Sequence, residues 1–258
     1  MARNNPEYLK EINEIIDSVE KSQKIKFREG YNPNCKCIKL TLDPVEAIPR
    51  PFVFYAFDIQ EGSPPSRISY WYYDPHSHHD SFSPKKSRQK PIVFIHGVGG
   101  GLFCYFNFIR KLWKLNRPLF LVELPYVSLQ MIEDVPTMEE TVREIEEMLT
   151  SRNYSKAIFV GHSLGTAVCT WMFKEARKRI GGLVLIDPII FLLHHPNVAY
   201  NFKYRIPRAA NEVYKYLSKH NVKAHMMRKL DHGSFLFNTH WEDKIIADVL
   251  KCCNSRRS

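Results

Sequence analysis

Ser163 stands between two glycines, in Gly161-His162-Ser163-Leu164-Gly165, directly after the apolar run AIFV and before the run TAVCTWMFKEA. Where a strand feeds a helix through so sharp a turn, bulk two residues to either side of the serine would collide with neighbouring backbone, so glycine suits both places. The serine then projects above the carboxyl edge of a sheet, at the helix end whose dipole favours developing negative charge. That is the setting of a nucleophile elbow. Its chemistry is acyl transfer, in which an activated hydroxyl attacks a carbonyl carbon.

A second stretch points the same way. His96-Gly97-Val98-Gly99-Gly100-Gly101 follows the apolar run IVFI, so its backbone can pass close beneath a bound carbonyl and offer amide protons to an oxyanion. The amides of Val98 and of Leu164, the residue after the serine, are the expected oxyanion hole. A phosphate-binding loop is the rival reading, and the Lys-Ser/Thr that ends such a loop is absent. Leu102, Phe103 and Tyr105 after this loop, with Ile189 and Phe191 farther along, are candidates for an apolar substrate pocket, or else for core.

These residues need elements to hold them. Apolar strands alternate with helical periods from Ile92 onward, the pattern of a parallel sheet flanked by helices. The expected strands are 92–96, 119–124, 157–161, 183–187 and 222–230. Thr137-x-x-Glu140 is a capping box for a helix from about Met138 to Leu149, and a short final helix is expected from about Trp241 to Cys252. Ahead of them, 52–59 and 67–74 read as an antiparallel strand pair. Ala210, Val213, Tyr214 and Leu217 share the face of one further helix.

The chain of 258 residues, 44% hydrophobic, is long enough to bury a substantial core, and one globular domain is expected over 49–253 after an N-terminal extension over 1–48. Leu9, Ile12, Ile15, Ile16 and Val19 make that extension begin with an amphipathic helix. It either packs on the domain or lies on a membrane surface. Thirty-seven Lys and Arg against 27 Asp and Glu give a net charge of +10, but the positive charges are scattered and no recognition motif accompanies them. Specific nucleic-acid binding is therefore not expected. Six cysteines lack both a disulfide framework and the paired spacing of a zinc site, which favours a reduced, cytoplasmic compartment. Cys104 and Cys169 read as small buried thiols at helix starts. His76, His78, His79 and Asp80 lie in a Pro/Ser/His/Lys loop, where ordering entropy opposes a metal site. No apolar run is long enough to cross a bilayer.

Strand, HG loop, strand, elbow and later histidine occur here in the order of the α/β-hydrolase superfamily, which the chain resembles over roughly residues 51 to 250. The runs SYWYYDP, FIHGVGGG and NFKYRIPRAANE are similar to a little-characterised fungal branch of it. The resemblance implies a mostly parallel central sheet flanked by helices, with antiparallel strands at its N-terminal side, no metal or organic cofactor, and a small-molecule or lipid ester as substrate. It implies a serine nucleophile, an acid and a histidine base. His232, in LDHGSFLF, occupies the base's place, with His194 and His195 as the competing pair. One strand-plus-acid unit is missing between Asp187 and His232, which leaves a reduced C-terminal part. Asp187 fills the gap as the acid that holds His232 in its productive tautomer, or else only caps its turn. The function this implies is a serine hydrolase of the esterase or lipase kind. The alternative is an impaired member that serves as a binding or scaffold module, with peripheral membrane contact compatible with either.

Overall fold

The computed structural model describes residues 60–61, 68–75, 89–128, 135–191, 223–227 and 230–255, together with parts of 10–30 and 214–219. The chain divides into two compact units, Met1–Glu46 and Ala47–Ser258. In the first, helical residues recur between 10 and 21, and Ile16 and Val19 are both exposed. The Glu20 carboxylate there accepts the amide proton of Phe27 at 2.7 Å.

Among the described residues, the second unit is built on a six-stranded sheet. In chain order the strands are β1 (Gln60–Glu61), β2 (Ser69–Tyr73), β3 (Ile92–Ile95), β4 (Leu119–Glu123), β5 (Ala157–His162) and β6 (Ile180–Ile186), and in space they run β1-β2-β4-β3-β5-β6. β1 and β2 are antiparallel to each other, and β2 to β4; the other pairs are parallel. Among the described residues the helices that follow these strands are α1 (Phe106–Trp113), α2 (Met138–Ser151), α3 (Leu164–Glu175) and α4 (Thr239–Asn254), and helical residues recur between 214 and 219. This is an α/β fold with a mostly parallel sheet.

The apolar runs of β3, β4 and β5 are continuous because helices cover both faces. Alternate residues supply the two cores. Val93, Ile95, Phe120, Val122 and Phe159 face Val142, Ile145 and Leu149 of α2 and Val168 and Met172 of α3. Ile92, Phe94, Leu119, Leu121, Ile158 and Val160 face Phe108 and Leu112 of α1 and Ile245 and Val249 of α4. Thr137 caps α2 as its sequence requires: its hydroxyl accepts the Glu140 amide proton at 3.2 Å, and the Glu140 carboxylate accepts that of Thr137 at 2.8 Å. Lys111 of α1 fastens the far layer, 2.9 Å from Glu242 and 2.6 Å from Asp243 of α4.

Three expectations need correction or relocation. Residues 223–227 form no strand, and the described sheet ends at β6. Among the described residues the segment pairs with no strand; Lys223 forms an ion pair with Asp248 of α4 at 2.7 Å, and His225 Nε2 lies 3.0 Å from the same carboxylate. Cys104 lies on the exposed side of the 3-10 turn over Gly101–Tyr105, whose Leu102 and Tyr105 take the buried side, whereas Cys169 is buried inside α3. The antiparallel partner of β2 lies at Gln60–Glu61, while 52–59 fall outside the described residues. Residues 76, 78–80, 194 and 195 also lie outside them.

Candidate active site

The parallel strands end at one edge, and that edge assembles the chemistry. The pairing of Ile95 with Gly161, Gly161 with Leu185 and His162 with Ile186 brings the chain out of β3, β5 and β6 side by side. The glycine-rich loop, Ser163 and Asp187 are the first groups beyond those ends. This is the carboxyl-edge position at which open α/β sheets bind ligands.

Ser163 joins β5 to α3 with φ 51° and ψ −117°, a left-handed conformation that costs a non-glycine residue about 1–3 kcal/mol. Neighbouring structure holds it there, since its amide donates to the Ile186 carbonyl at 3.1 Å. The flanking glycines are required by contact. A Cβ on Gly161 would come within 2.6 Å of the Gly165 carbonyl oxygen, and one on Gly165 would meet the carbonyl of Ile95. Thr166 completes the turn: its hydroxyl donates to the Ser163 carbonyl at 2.6 Å and accepts the Ile189 amide proton at 3.3 Å, pinning the loop after β6 to α3.

Across from it, His232 Nε2 lies 2.8 Å from Ser163 Oγ, although 69 residues separate them in sequence. The turn that delivers His232 continues through Gly233 at φ 78° and a 3-10 turn over Ser234–Phe237, in which Phe235 is wholly buried against Phe108 and His162.

Asp187 has φ 45°. Its Oδ2 accepts the Gly233 amide proton at 2.8 Å and lies 3.7 Å from His162 Nε2. Burial opposes ionisation of this carboxyl, but the His162 ring, the Gly233 amide and the His232 ring together hold it below the usual carboxylate range.

The glycine-rich loop is held from below. His96 is fully buried and its Nε2 accepts the Leu124 amide proton at 2.9 Å. Gly97 donates to the Tyr105 hydroxyl at 3.0 Å and Gly99 to the Val127 carbonyl at 3.0 Å. The Val98 amide lies between these two committed donors. Glu123, a carboxylate buried in an otherwise apolar strand, accepts from the Leu102 amide at 3.4 Å, and a Cβ on Gly101, at φ 63°, would strike it. That anchor was visible in the sequence as the one charge within LFLVEL.

Of the expected pocket residues, Leu102 and Tyr105 are core, 1% and 4% exposed, and the Tyr105 hydroxyl is 2.6 Å from His162 Nδ1. Phe103 is 49% exposed, and Ile189 and Phe191 are half-buried. Among the described residues no three His, Cys, Asp or Glu side chains converge to hold a metal.

A family model described as the alpha/beta hydrolase fold matches residues 90–222, more than half of the chain. The chain belongs to this family. Among the proteins similar to it is 1-acylglycerol-3-phosphate O-acyltransferase ABHD5 of Rattus norvegicus, 27% identical over 119 residues, which are 42% of this chain and 32% of that protein. Methylesterase 7 of Arabidopsis thaliana is 22% identical over 133 residues, 50% of this chain and 51% of the relative. The chain thus spans about a third to a half of the length of these relatives. A CIB-like hydrolase from Thermoplasma acidophilum superposes with a TM-score of 0.51 at 12% identity, over 76% of this chain and 99% of that one, which shows the shared fold. Among the described residues, no helix of this α/β hydrolase is long and apolar enough to cross a membrane.

Proposed function

We propose that this α/β hydrolase cleaves an ester or related acyl bond through an acyl-enzyme on Ser163. The observation that carries the reading is the 2.8 Å separation of Ser163 Oγ and His232 Nε2, at an elbow strained by its φ of 51°. Nucleophile and base in hydrogen-bond reach, with a third group beside the base, are the signature of an activated serine.

The Ser163 hydroxyl proton passes to His232 Nε2 as Oγ bonds to the carbonyl carbon. The carbonyl oxygen becomes an oxyanion, which the amides of Leu164, at the first turn of α3, and Val98 receive. His232 then returns the proton to the departing alkoxide as the ester C–O bond breaks. Water repeats the sequence on the acyl-enzyme, giving its proton to His232 and releasing the acid and free Ser163. Asp187, ionised at neutral pH, offsets the cost of the imidazolium through its charge.

The substrate class is a small-molecule or lipid ester. Val98, 69% exposed, and Phe103 give the loop's outer side an apolar character, and Ile189 and Phe191 supply more from the loop after β6. The names of the two relatives differ in acyl acceptor, and an acyl-Ser163 intermediate is compatible with water or an alcohol in that place. Hydrolysis of p-nitrophenyl butyrate and octanoate by the wild-type protein tests the reading. Ser163→Ala is expected to lower the rate by about 10⁴-fold or more. Equal rates for the two proteins would overturn it.

A further inference from the structure

The buried ring of His162 has no part in the reaction as written, yet it touches both halves of the site. Its Nδ1 is 2.6 Å from the Tyr105 hydroxyl, and that hydroxyl already accepts the Gly97 amide proton at 3.0 Å. The contact can be made with either atom as donor, and a phenol O–H donating to Nδ1 leaves its oxygen to accept the Gly97 amide. The phenol keeps that proton, because burial, opposed in part by the Gly97 amide, pushes it up to about 12. In that arrangement Nδ1 is bare and the ring hydrogen sits on Nε2. That atom is buried, has no hydrogen-bond partner among the described residues, and lies 3.7 Å from Asp187 Oδ2.

The packing leaves this ring little freedom. His162 is 5% exposed, its centroid 5.2 Å from that of Phe235, 5.2 Å from that of His232 and 5.5 Å from that of Tyr105. A Cβ on Gly97 would press on the Ser163 Cβ at 2.8 Å, the His162 Nδ1 at 3.0 Å and the Tyr105 hydroxyl at 3.2 Å. The backbone of the glycine-rich loop, the nucleophile and this histidine are therefore in direct van der Waals contact.

We propose that His162 is a positioning residue for the acid, held by Tyr105 as its Nε2–H tautomer so that the positive end of this N–H faces Asp187 Oδ2 at 3.7 Å and biases electrostatically a carboxylate that the Gly233 amide hydrogen-bonds at 2.8 Å. Tyr105 is the joint of the device, since the same hydroxyl holds Gly97, next to the Val98 amide. One buried phenol thus ties the oxyanion side of the site to the acid side. The proposal rests on the hydrolase reading above for its catalytic consequence, while the tautomer itself is independent of activity.

The test pairs nitrogen-15 NMR of the histidine rings at neutral pH with kinetics on p-nitrophenyl butyrate. His162→Gln assigns the His162 signals by their loss, and the expected spectrum has Nε2 protonated and Nδ1 bare. Tyr105→Phe is expected to abolish that single-tautomer signature. In kinetics, His162→Phe keeps the ring packing but lacks the donor, and kcat is expected to fall by about 10- to 100-fold with KM changed less than about twofold. His162→Gln, which keeps an N–H, is expected to recover part of the loss, and melting temperatures of all variants verify folding. An Nδ1–H tautomer in the wild-type protein, or an active wild type with a folded His162→Phe of unchanged kcat, would overturn the proposal alone. A wild-type protein with the expected tautomer that hydrolyses nothing would instead remove the hydrolase reading, and the catalytic half of the proposal with it.

Discussion

The Asp187 carboxylate accepts the amide proton of Gly233 at 2.8 Å, so the group that closes β6 is fastened to the residue immediately after the base. Any change in this carboxylate is transmitted to the His232 backbone as well as to its charge. Asp187→Asn is expected to lower kcat for ester hydrolysis by about 10²- to 10⁴-fold, because an amide cannot stabilise an imidazolium as a carboxylate does.

The same carboxylate makes stability depend on pH. Its carboxyl is held below the usual range in the folded protein, burial being outweighed by the His162 ring, the Gly233 amide and the His232 ring. A carboxyl whose pKa falls on folding stabilises the folded state fully above its unfolded pKa, about 3.9, and loses that contribution as pH falls through the lower folded value. Urea unfolding of wild type and Asp187→Asn is expected to show a constant stability gap at neutral pH and a narrowing one below about pH 4. A gap that widens on acidification would contradict this assignment.

The elbow sets a steric prediction. A methyl group on Gly165 would meet the backbone carbonyls of Ile95 and His96, which belong to the sheet and its loop. Gly165→Ala is expected to cost about 1–3 kcal/mol and to lower Tm by several degrees. Calorimetry checks it, and an unchanged Tm would mean that the helix can retreat from β3.

Phe235 joins stability to the site. It is wholly buried, edge-on to Phe108 with ring centroids 5.6 Å apart, and packed on His162. Phe235→Ala is expected to cost about 3–5 kcal/mol in chemical denaturation. Loss of activity should precede global unfolding in urea, because the turn that carries His232 loses its anchor before the sheet melts. Coincident transitions would show that this turn has no separate stability.

Local patterning made much of this arrangement readable from the residues. The elbow announces itself because its two glycines answer to backbone contacts that every such turn must make, and the strands β3, β4 and β5 announce themselves as unbroken apolar runs covered on both faces. The capping box at Thr137 is equally local. Tyr105 is the opposite case. It reads as an apolar lining residue, and its role comes only from a three-way meeting with Gly97 and His162 that no sequence period encodes. The run VKAHMMRKL has the apolar content of a strand, but Lys223 and His225 of its described part turn to the Asp248 carboxylate of α4, and that part joins no sheet.

An activated Ser163 is tested by covalent labelling with a fluorophosphonate, read by intact mass and peptide mapping, on wild type, Ser163→Ala and His232→Ala. One adduct on Ser163 is expected in the wild-type protein, none in Ser163→Ala, and labelling slowed by about 10³-fold or more in His232→Ala. A folded wild-type protein that takes no label, or one labelled equally with and without Ser163, would contradict it and leave the fold as a binding scaffold.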